Sequence, residues 1–145
     1  NGKGMSPETL ANITDPFVTS RTTRKVGLGI PFFKAAAEAC EGTLKIQSAI
    51  DKGTAVEVRF RHSHIDRMPL GDISGTLLSL VIGTPEVHWI YKHRVDENQF
   101  IFDDGPIKET LEDLPLCEPE VMKFIREMLQ DGIHELYQSQ PERIN

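Results

Sequence analysis

The sequence predicts an α+β fold, and three observations support this prediction. Apolar residues recur at helical spacing in some segments and alternate, as in strands, in others. Clusters of Gly, Pro and Asp separate these segments. Of the 145 residues, 39% are hydrophobic and 26% are charged, which is ordinary for a globular protein and excludes collagen, coiled coil and wholesale disorder. The length fits one domain, or one domain with a small appendage.

Two helices are predicted in the first part of the chain. Ser6 can cap a helix that carries Pro7 in its first turn and ends near Asp15-Pro16. A second helix follows Gly27-Leu28-Gly29 and ends at Gly42, in the C′ position. Its apolar positions, which we expect to face the core, are Phe32, Phe33, Ala36, Ala37 and Cys40.

A basic loop and a β-hairpin complete this part. Between the helices, the segment from Phe17 to Val26 is rich in Ser and Thr and has no clear periodicity, which indicates a loop. Thr43–Ser48 and Val56–Phe60 alternate as strands, and Asp51-Lys52-Gly53 supplies the turn between them.

The remaining residues predict a helix–strand–strand–helix module. Asp72 can cap a helix that Gly83-Thr84-Pro85 ends. Two strands follow at Val87–Val95 and Gln99–Phe102. A long amphipathic helix begins at Pro119.

The net charge of −6 is unevenly distributed. Residues 16–34 contain only basic charges, whereas residues 96–145 contain 13 acids and 4 bases. The basic segment could attract a compact anion, although charge runs are more often solvated surfaces. The acidic segment makes nucleic acid a poor partner, because it repels phosphate backbones.

No membrane span or signal peptide is expected. The longest apolar run, near Leu77–Ile82, is far shorter than the roughly 20 residues that a membrane helix needs. Two cysteines are too few for a disulfide framework, so reduced thiols and a cytoplasmic location are expected.

Two glycine loops predict a phosphate site. Asn1-Gly2-Lys3-Gly4 and Gly27-Leu28-Gly29 permit close approach of a ligand to the backbone, and the second loop directly precedes a helix. Arg21, Arg24 and Lys25 lie just upstream of that loop and can add charge-assisted hydrogen bonds. Neither a P-loop motif nor a Rossmann fingerprint is present.

Four sequence elements in fixed order resemble the GHKL superfamily, which comprises gyrase-type topoisomerases, heat-shock chaperones, histidine kinases and mismatch-repair ATPases. They are Asn1-Gly2-Lys3-Gly4-Met5, Asp15-Pro16-Phe17-Val18-Thr19-Ser20-Arg21, Gly27-Leu28-Gly29-Ile30 and Lys52-Gly53-Thr54. The resemblance is closest to the ATP-binding domain of sensor histidine kinases. It implies that residues 1–64 are the C-terminal part of a two-layer α/β sandwich of the GHKL (Bergerat) type. Residues 65–145 would then be an accessory module.

The resemblance also implies an ATP site. Gly2 and Gly4 match the first glycine box, near the adenine, and Thr54 matches a hydroxyl group beside it. Phe17 matches the aromatic residue that opens the ATP lid, and Arg21 lies where a basic residue reaches the γ-phosphate. The second glycine box contacts the phosphates at the start of the next helix. The expected ATP-binding residues are Gly2, Gly4, Phe17, Arg21, Arg24, Lys25, Gly27, Leu28, Gly29 and Thr54.

By the same resemblance, key residues precede the chain. The family's adenine-reading Asp would stand immediately before Asn1, and the Asn that binds Mg²⁺ lies on a helix further upstream. We therefore expect that the chain begins inside the nucleotide site and is inactive alone, and that the parent protein transfers or hydrolyses the γ-phosphate of ATP. The alternative is a non-catalytic scaffold that binds a protein partner through its C-terminal part. The phosphoryl acceptor and the oligomeric state stay open.

Histidines provide the other candidate sites. His62 and His64 would share a strand face and, with Asp66, could bind zinc, although surface histidines are the more ordinary interpretation. His134-Glu135-Leu136 mimics the phospho-acceptor box of histidine kinases, but a histidine on a helix surface is favoured. The remaining two, His88 and His93, suggest no site.

Overall fold

The computed structural model describes residues 2–15, 27–111 and 114–138. The chain forms two compact units, Asn1–Pro69 and Leu70–Asn145. Four of the predicted ATP-binding residues, Phe17, Arg21, Arg24 and Lys25, lie outside the described residues.

The described residues of the first unit form two helices and one hairpin. They are α1 (Pro7–Asn12), α2 (Gly29–Ala39), β1 (Thr43–Ala49) and β2 (Gly53–Arg59). The strands are antiparallel, and their register runs from Thr43 opposite Arg59 to Ala49 opposite Gly53. Helix α1 contacts β1, and α2 contacts both strands. The predicted order of elements is confirmed here, whereas the full two-layer sandwich remains a prediction.

The start of α1 and the end of α2 lie where the sequence predicts them, although the left-handed residue at the end of α2 is not the predicted one. The Ser6 side chain caps α1 and accepts a hydrogen bond from the Thr9 N–H at 3.2 Å. At the end of α2, the Gly42 N–H donates to the Ala37 carbonyl at 2.7 Å, as in a Schellman motif. The left-handed C′ residue of this motif is Glu41, with φ 53°, and not Gly42. Glycine is required at position 42 for another reason, since a Cβ there would lie 1.9 Å from the Arg59 carbonyl oxygen.

The buried core of the first unit is smaller than the apolar pattern predicts. Ala37 and Cys40 are buried, as expected for one face of α2. Phe32 and Phe33 are 63% and 51% exposed, so their predicted place in the core is wrong. They lie in the first turn and a half of α2, away from the helix end where Ala37 and Cys40 are buried.

Residues 70–111 and 114–138 of the second unit form three helices and an antiparallel hairpin. They are α3 (Ile73–Gly83), β3 (Ile90–Val95), β4 (Asn98–Asp103), α4 (Gly105–Leu111) and α5 (Pro119–Gln138). Asp72 caps α3 as predicted and accepts a hydrogen bond from the Gly75 N–H at 2.8 Å. Seven buried side chains form one core, namely Leu77, Leu78, Val81, Phe102, Val121, Ile125 and Leu129.

Two predicted features of the second unit are wrong. Helix α4 lies between β4 and α5, where the sequence predicted no helix, because Gly105 and Pro106 occupy its first turn rather than breaking it. Strand β3 begins at Ile90 rather than at Val87. Just before it, the Trp89 carbonyl accepts the Asp104 N–H at 3.1 Å, and the Asp104 carboxylate accepts the Trp89 N–H at 2.9 Å.

Close approach of α5 to the hairpin depends on Gly132. A Cβ at this position would lie 2.0 Å from Cε2 of the Phe100 ring. The absence of a side chain therefore lets the Phe100 ring pack directly on the helix backbone. Across the described part of the chain, none of the helices combines the length and the apolar character that crossing a membrane requires.

Candidate functional site

Two hydrogen bonds hold the first glycine loop against the β1–β2 hairpin, and a third, within the hairpin, fixes the serine that accepts one of them. The Lys3 carbonyl accepts the Asp51 N–H at 2.9 Å. The Met5 N–H donates to Ser48 Oγ at 2.9 Å, and Ser48 Oγ donates to the Gly53 carbonyl at 3.0 Å. The loop is therefore fixed to a regular element rather than projecting freely.

Gly4 can be only glycine in this arrangement. Its φ is 65°, in the left-handed region. A Cβ would lie 1.8 Å from the Ala49 carbonyl oxygen and 3.2 Å from the Gly53 carbonyl oxygen. The glycine that the sequence analysis selected for close approach of a ligand is thus also required for packing of the loop on the hairpin.

Thr54 lies beside this loop. Its Oγ1 is 2.8 Å from Ser48 Oγ, the same oxygen that accepts the Met5 N–H. The structure therefore brings Thr54 and the first glycine loop together through Ser48. The sequence analysis missed Ser48, although the predicted hairpin register could have revealed it, because Ser48 stands directly opposite Thr54.

The second glycine loop leads into α2. Leu28 occupies the N-cap position, and its side chain cannot accept a hydrogen bond, so it leaves the first N–H groups of the helix uncapped. No acidic residue lies in the first turn. A Cβ on Gly29 would meet nothing within 4 Å. The start of α2 therefore has the open backbone and the positive dipole end that favour an anion.

The zinc alternative for His62 and His64 required both side chains to lie on one face of a strand, and the structure does not show this arrangement. Strand β2 ends at Arg59, so residues 62–66 lie in turns and do not share a strand face. The His64 side chain is 19% exposed and lies 3.8 Å from Asp66 and 3.9 Å from Glu41. His134 is exposed on α5 and contacts Gln138 at 2.7 Å, which confirms the helix-surface interpretation.

His88 joins a cluster of charged side chains that the sequence analysis did not foresee. Its Nε2 lies 2.7 Å from Asp103 Oδ1, which also accepts the Gly105 N–H at 2.9 Å. These hydrogen bonds, with that from His88 the stronger influence, lower the pKa of Asp103 below its ordinary value. Lys108 Nζ lies 2.7 Å from Oδ2 of the buried Asp104 and also donates to a backbone carbonyl. The cluster ties the end of β4 to the first turn of α4.

His93 forms a second unforeseen cluster. The Tyr91 hydroxyl lies 2.8 Å from His93 Nδ1, and the Tyr137 hydroxyl lies 3.2 Å from Nε2. Both tyrosine rings meet the imidazole edge to face. Burial, and secondarily Tyr137, raises the pKa of Tyr91 above its ordinary value. The cluster links β3 to the last turn of α5.

Comparison with known families identifies the segment that contains both glycine loops. Residues 1–64 match the profile of the family described as histidine kinase-, DNA gyrase B- and HSP90-like ATPase. The resemblance to the GHKL superfamily is thereby confirmed for this segment, which carries a histidine-kinase-like ATPase domain sequence.

Two curated proteins match the same part of the chain. A putative sensor histidine kinase, NtrY-like, from Rickettsia typhi is 33% identical over 60 residues, which cover 41% of this chain and 10% of the relative. A putative sensor protein from Shewanella frigidimarina is 38% identical over 61 residues, which cover 41% of this chain and 9% of the relative. The match thus spans about a tenth of the length of these relatives. No solved structure matches the chain.

Proposed function

We propose that residues 1–64 contribute the two glycine boxes of an ATP site in the natural polypeptide that contains this chain. We further propose that this polypeptide acts in the cytoplasm and transfers or hydrolyses the γ-phosphate of ATP. The observation that carries the proposal is the docking of the first glycine loop beside Thr54, within a segment that matches the ATPase family.

The predicted ATP-binding residues have different proposed parts in binding. Gly2 and Gly4 let the adenine approach the loop backbone, and Thr54 supplies a hydroxyl group beside it. Gly27 and Gly29 place the phosphates at the uncapped start of α2. Arg21, Arg24 and Lys25 would add positive charge to the phosphates, and Phe17 would begin the lid. Mg²⁺ would neutralise phosphate charge, and the resemblance assigns its ligand to residues upstream of the first glycine box.

Gly29→Ala tests the phosphate end of the site. The added Cβ meets no protein atom within 4 Å, so the fold tolerates it, but the methyl group occupies the space in which a phosphate would approach the backbone. We expect at least about a tenfold weaker affinity for MgATP, with an unchanged unfolding temperature. Calorimetric titration of MgATP into the natural polypeptide measures this affinity.

Gly83→Ala is the matched control, because a Cβ there also meets nothing within 4 Å and the residue ends α3 in the other unit. It should leave the affinity unchanged. The proposal fails if the folded polypeptide shows no saturable binding of MgATP. It fails equally if Gly29→Ala and Gly83→Ala have the same affinity.

A second candidate function is protein binding by the accessory module, residues 65–145. The observation that favours it is an apolar groove between α4 and α5, with a volume of about 400 Å³. Clefts of this size are typical of binding sites. Under this hypothesis the ATPase-like segment serves regulation or scaffolding, and the polypeptide has no phosphoryl-transfer activity.

A further inference from the structure

The groove between α4 and α5 presents apolar side chains to solvent from both helices. Ile107 and Leu111 line it on α4, and Val121, Phe124 and Met128 line it on α5. Phe124 is 55% exposed although it belongs to the apolar stripe of its helix. An exposed aromatic ring beside an apolar cleft is typical of an interaction site rather than of a sealed core.

The α5 wall of the groove has the dimensions of a helix-binding surface. Val121, Phe124 and Met128 stand at positions i, i+3 and i+7, so they follow one another along one face for two turns. At 1.5 Å per residue, this wall is about 10 Å long. An amphipathic helix that docks in a groove presents anchors at the same i, i+3, i+4 and i+7 spacing.

Acidic side chains border this wall. Glu120 lines the groove, and Glu127 and Asp131 follow it at i+7 and i+11 on the same side of α5. Within the described residues, neither Glu120 nor Asp131 has an ion-pair partner, and Glu127 lies 3.8 Å from Lys123. None of the groove-lining residues is basic. The border therefore carries negative charge without a matching cation at the groove itself.

Two basic residues adjoin groove-lining residues in the sequence, Lys123 beside Phe124 and Lys108 beside Ile107, and both lie next to acidic side chains. Lys108, on α4, lies 2.7 Å from the buried Asp104 carboxylate and donates to the Val87 carbonyl at 2.6 Å. It is therefore held away from the groove border. The whole of residues 70–145 carries 15 acidic and 6 basic residues, so the surrounding field is negative as well.

We propose that the α4–α5 groove binds an amphipathic helix of a protein partner whose polar edge carries Lys or Arg. The apolar face of that helix fills the groove against Phe124, and its basic edge meets Glu120 and Asp131. This inference deepens the second candidate function by naming the partner's chemistry, and it does not depend on ATP binding.

The test uses the complete chain and a defined probe. The probe is a fluorescein-labelled peptide of about 18 residues with Leu at i, i+3, i+4 and i+7 and Lys at the remaining positions. Fluorescence anisotropy measures its affinity, and backbone amide NMR locates it. We expect saturable binding, shifts in residues of α4 and α5, and an affinity that falls as salt rises from about 50 to about 500 mM.

Matched peptides and variants distinguish binding in the groove from non-specific binding. A peptide with Glu in place of Lys, and one with the same residues in scrambled order, should each bind at least about tenfold more weakly. Phe124→Ala should weaken binding by at least about fivefold, whereas Ile101→Ala, at a similarly exposed apolar residue (50%) outside the groove, should not. Glu120→Gln should weaken binding of the Lys peptide, and Glu97→Gln is its control.

Three outcomes would overturn the proposal. The first is equal affinity for the Lys and Glu peptides, and the second is equal peptide affinity of Phe124→Ala and Ile101→Ala. The third is a dimer, seen by sedimentation, that Phe124→Ala abolishes, because a second copy of the chain would then occupy the groove. Failure here is distinguishable from failure of the ATP proposal, since Phe124→Ala should leave MgATP affinity unchanged and Gly29→Ala should leave peptide affinity unchanged.

Discussion

Asp103 and Asp104 are adjacent in the chain, yet their side chains lie in different surroundings. The Asp104 carboxylate is fully buried, where it accepts the Trp89 N–H and lies beside the Lys108 ammonium group. The Asp103 side chain is 41% exposed and accepts hydrogen bonds from His88 and the Gly105 N–H. Burial of a carboxylate is tolerated only with such partners, so Asp104 holds α4 against the start of β3.

The lowered pKa of Asp103 gives a test at the scale of the residue. Because the folded-state pKa lies below the ordinary value of 3.8, the stabilisation is fully present above that value. It is lost as the pH falls through the folded-state pKa. His88→Ala removes the largest cause and should raise the pKa of Asp103 towards 3.8, with the Gly105 N–H retaining part of the effect. Side-chain NMR titration of Asp103 measures the midpoint.

His62→Ala serves as the control for this titration, because among the described residues His62 bonds through its backbone carbonyl, which accepts from Arg67 and which the substitution keeps. That variant should leave the Asp103 midpoint unchanged. An unchanged midpoint in His88→Ala would show that the His88 contact does not persist in solution.

At the scale of the element, local residue types determine where a helix begins. Which face of a helix or strand becomes buried depends on the elements that pack against it. Ser6 and Asp72 cap α1 and α3 as their residue types predict. Helix α4 was missed because Gly105 and Pro106 are common in turns, although Ile107 and Leu111 stand at helical spacing behind them. Its start depends on Asp104, whose carbonyl accepts the Lys108 N–H at 3.0 Å.

In Gly132→Ala, helix propensity and packing have opposite effects on the stability of α5. Alanine favours a helix interior over glycine by about 1 kcal/mol. The added Cβ would, however, lie 2.0 Å from the Phe100 ring, which must then move within a packed interface. We expect a net loss of about 1–3 kcal/mol in the free energy of unfolding, measured by urea denaturation.

Two further variants serve as controls for this measurement. Gly83→Ala, at an open position in α3, should cost no stability. Gly132→Ala should cost less in a Phe100→Leu background, because the ring that it displaces is absent. Unchanged or increased stability of Gly132→Ala alone would contradict the close packing of α5 on β4.

At the scale of the whole molecule, charge and core are divided unequally between the two units. Residues 1–69 carry 10 basic and 7 acidic residues, a net charge of +3, whereas residues 70–145 have a net charge of −9. The described part of the first unit buries only Ala37 and Cys40 among its hydrophobic side chains. The second unit encloses a core cluster whose buried side chains come from three elements, α3, β4 and α5.

This division predicts different behaviour of the two units when each is produced alone. A fragment of residues 70–145 should unfold cooperatively, because its core cluster involves no residue of the first unit. A fragment of residues 1–69 should not, because the two hydrophobic side chains that its described part buries cannot offset the conformational entropy of ordering the chain. Circular dichroism during thermal unfolding, with amide NMR dispersion, distinguishes the two. Loss of cooperative unfolding in the 70–145 fragment would contradict the prediction.

Local chemistry made much of this protein predictable from its sequence. The caps of α1 and α3, the turn Asp51-Lys52-Gly53 and the glycine loops depend on backbone preferences within a few residues, so the residue types alone indicate them. The four ordered motifs likewise pointed to the ATPase family that residues 1–64 match. The lid residues between 16 and 26 remain predictions, as does every assigned role in nucleotide binding.

Tertiary structure alone decided which predicted elements meet and what they bury. Phe32 is exposed despite its helical apolar spacing, because periodicity identifies a face but not what covers it. Ser48 binds the first glycine loop at Met5, and His93 contacts Tyr137, across separations of 43 and 44 residues that no local pattern encodes. The groove between α4 and α5 exists only because the fold places apolar side chains of both helices around one uncovered cleft. Such contacts depend on how whole elements pack, which is a property of the folded chain and not of any short segment of it.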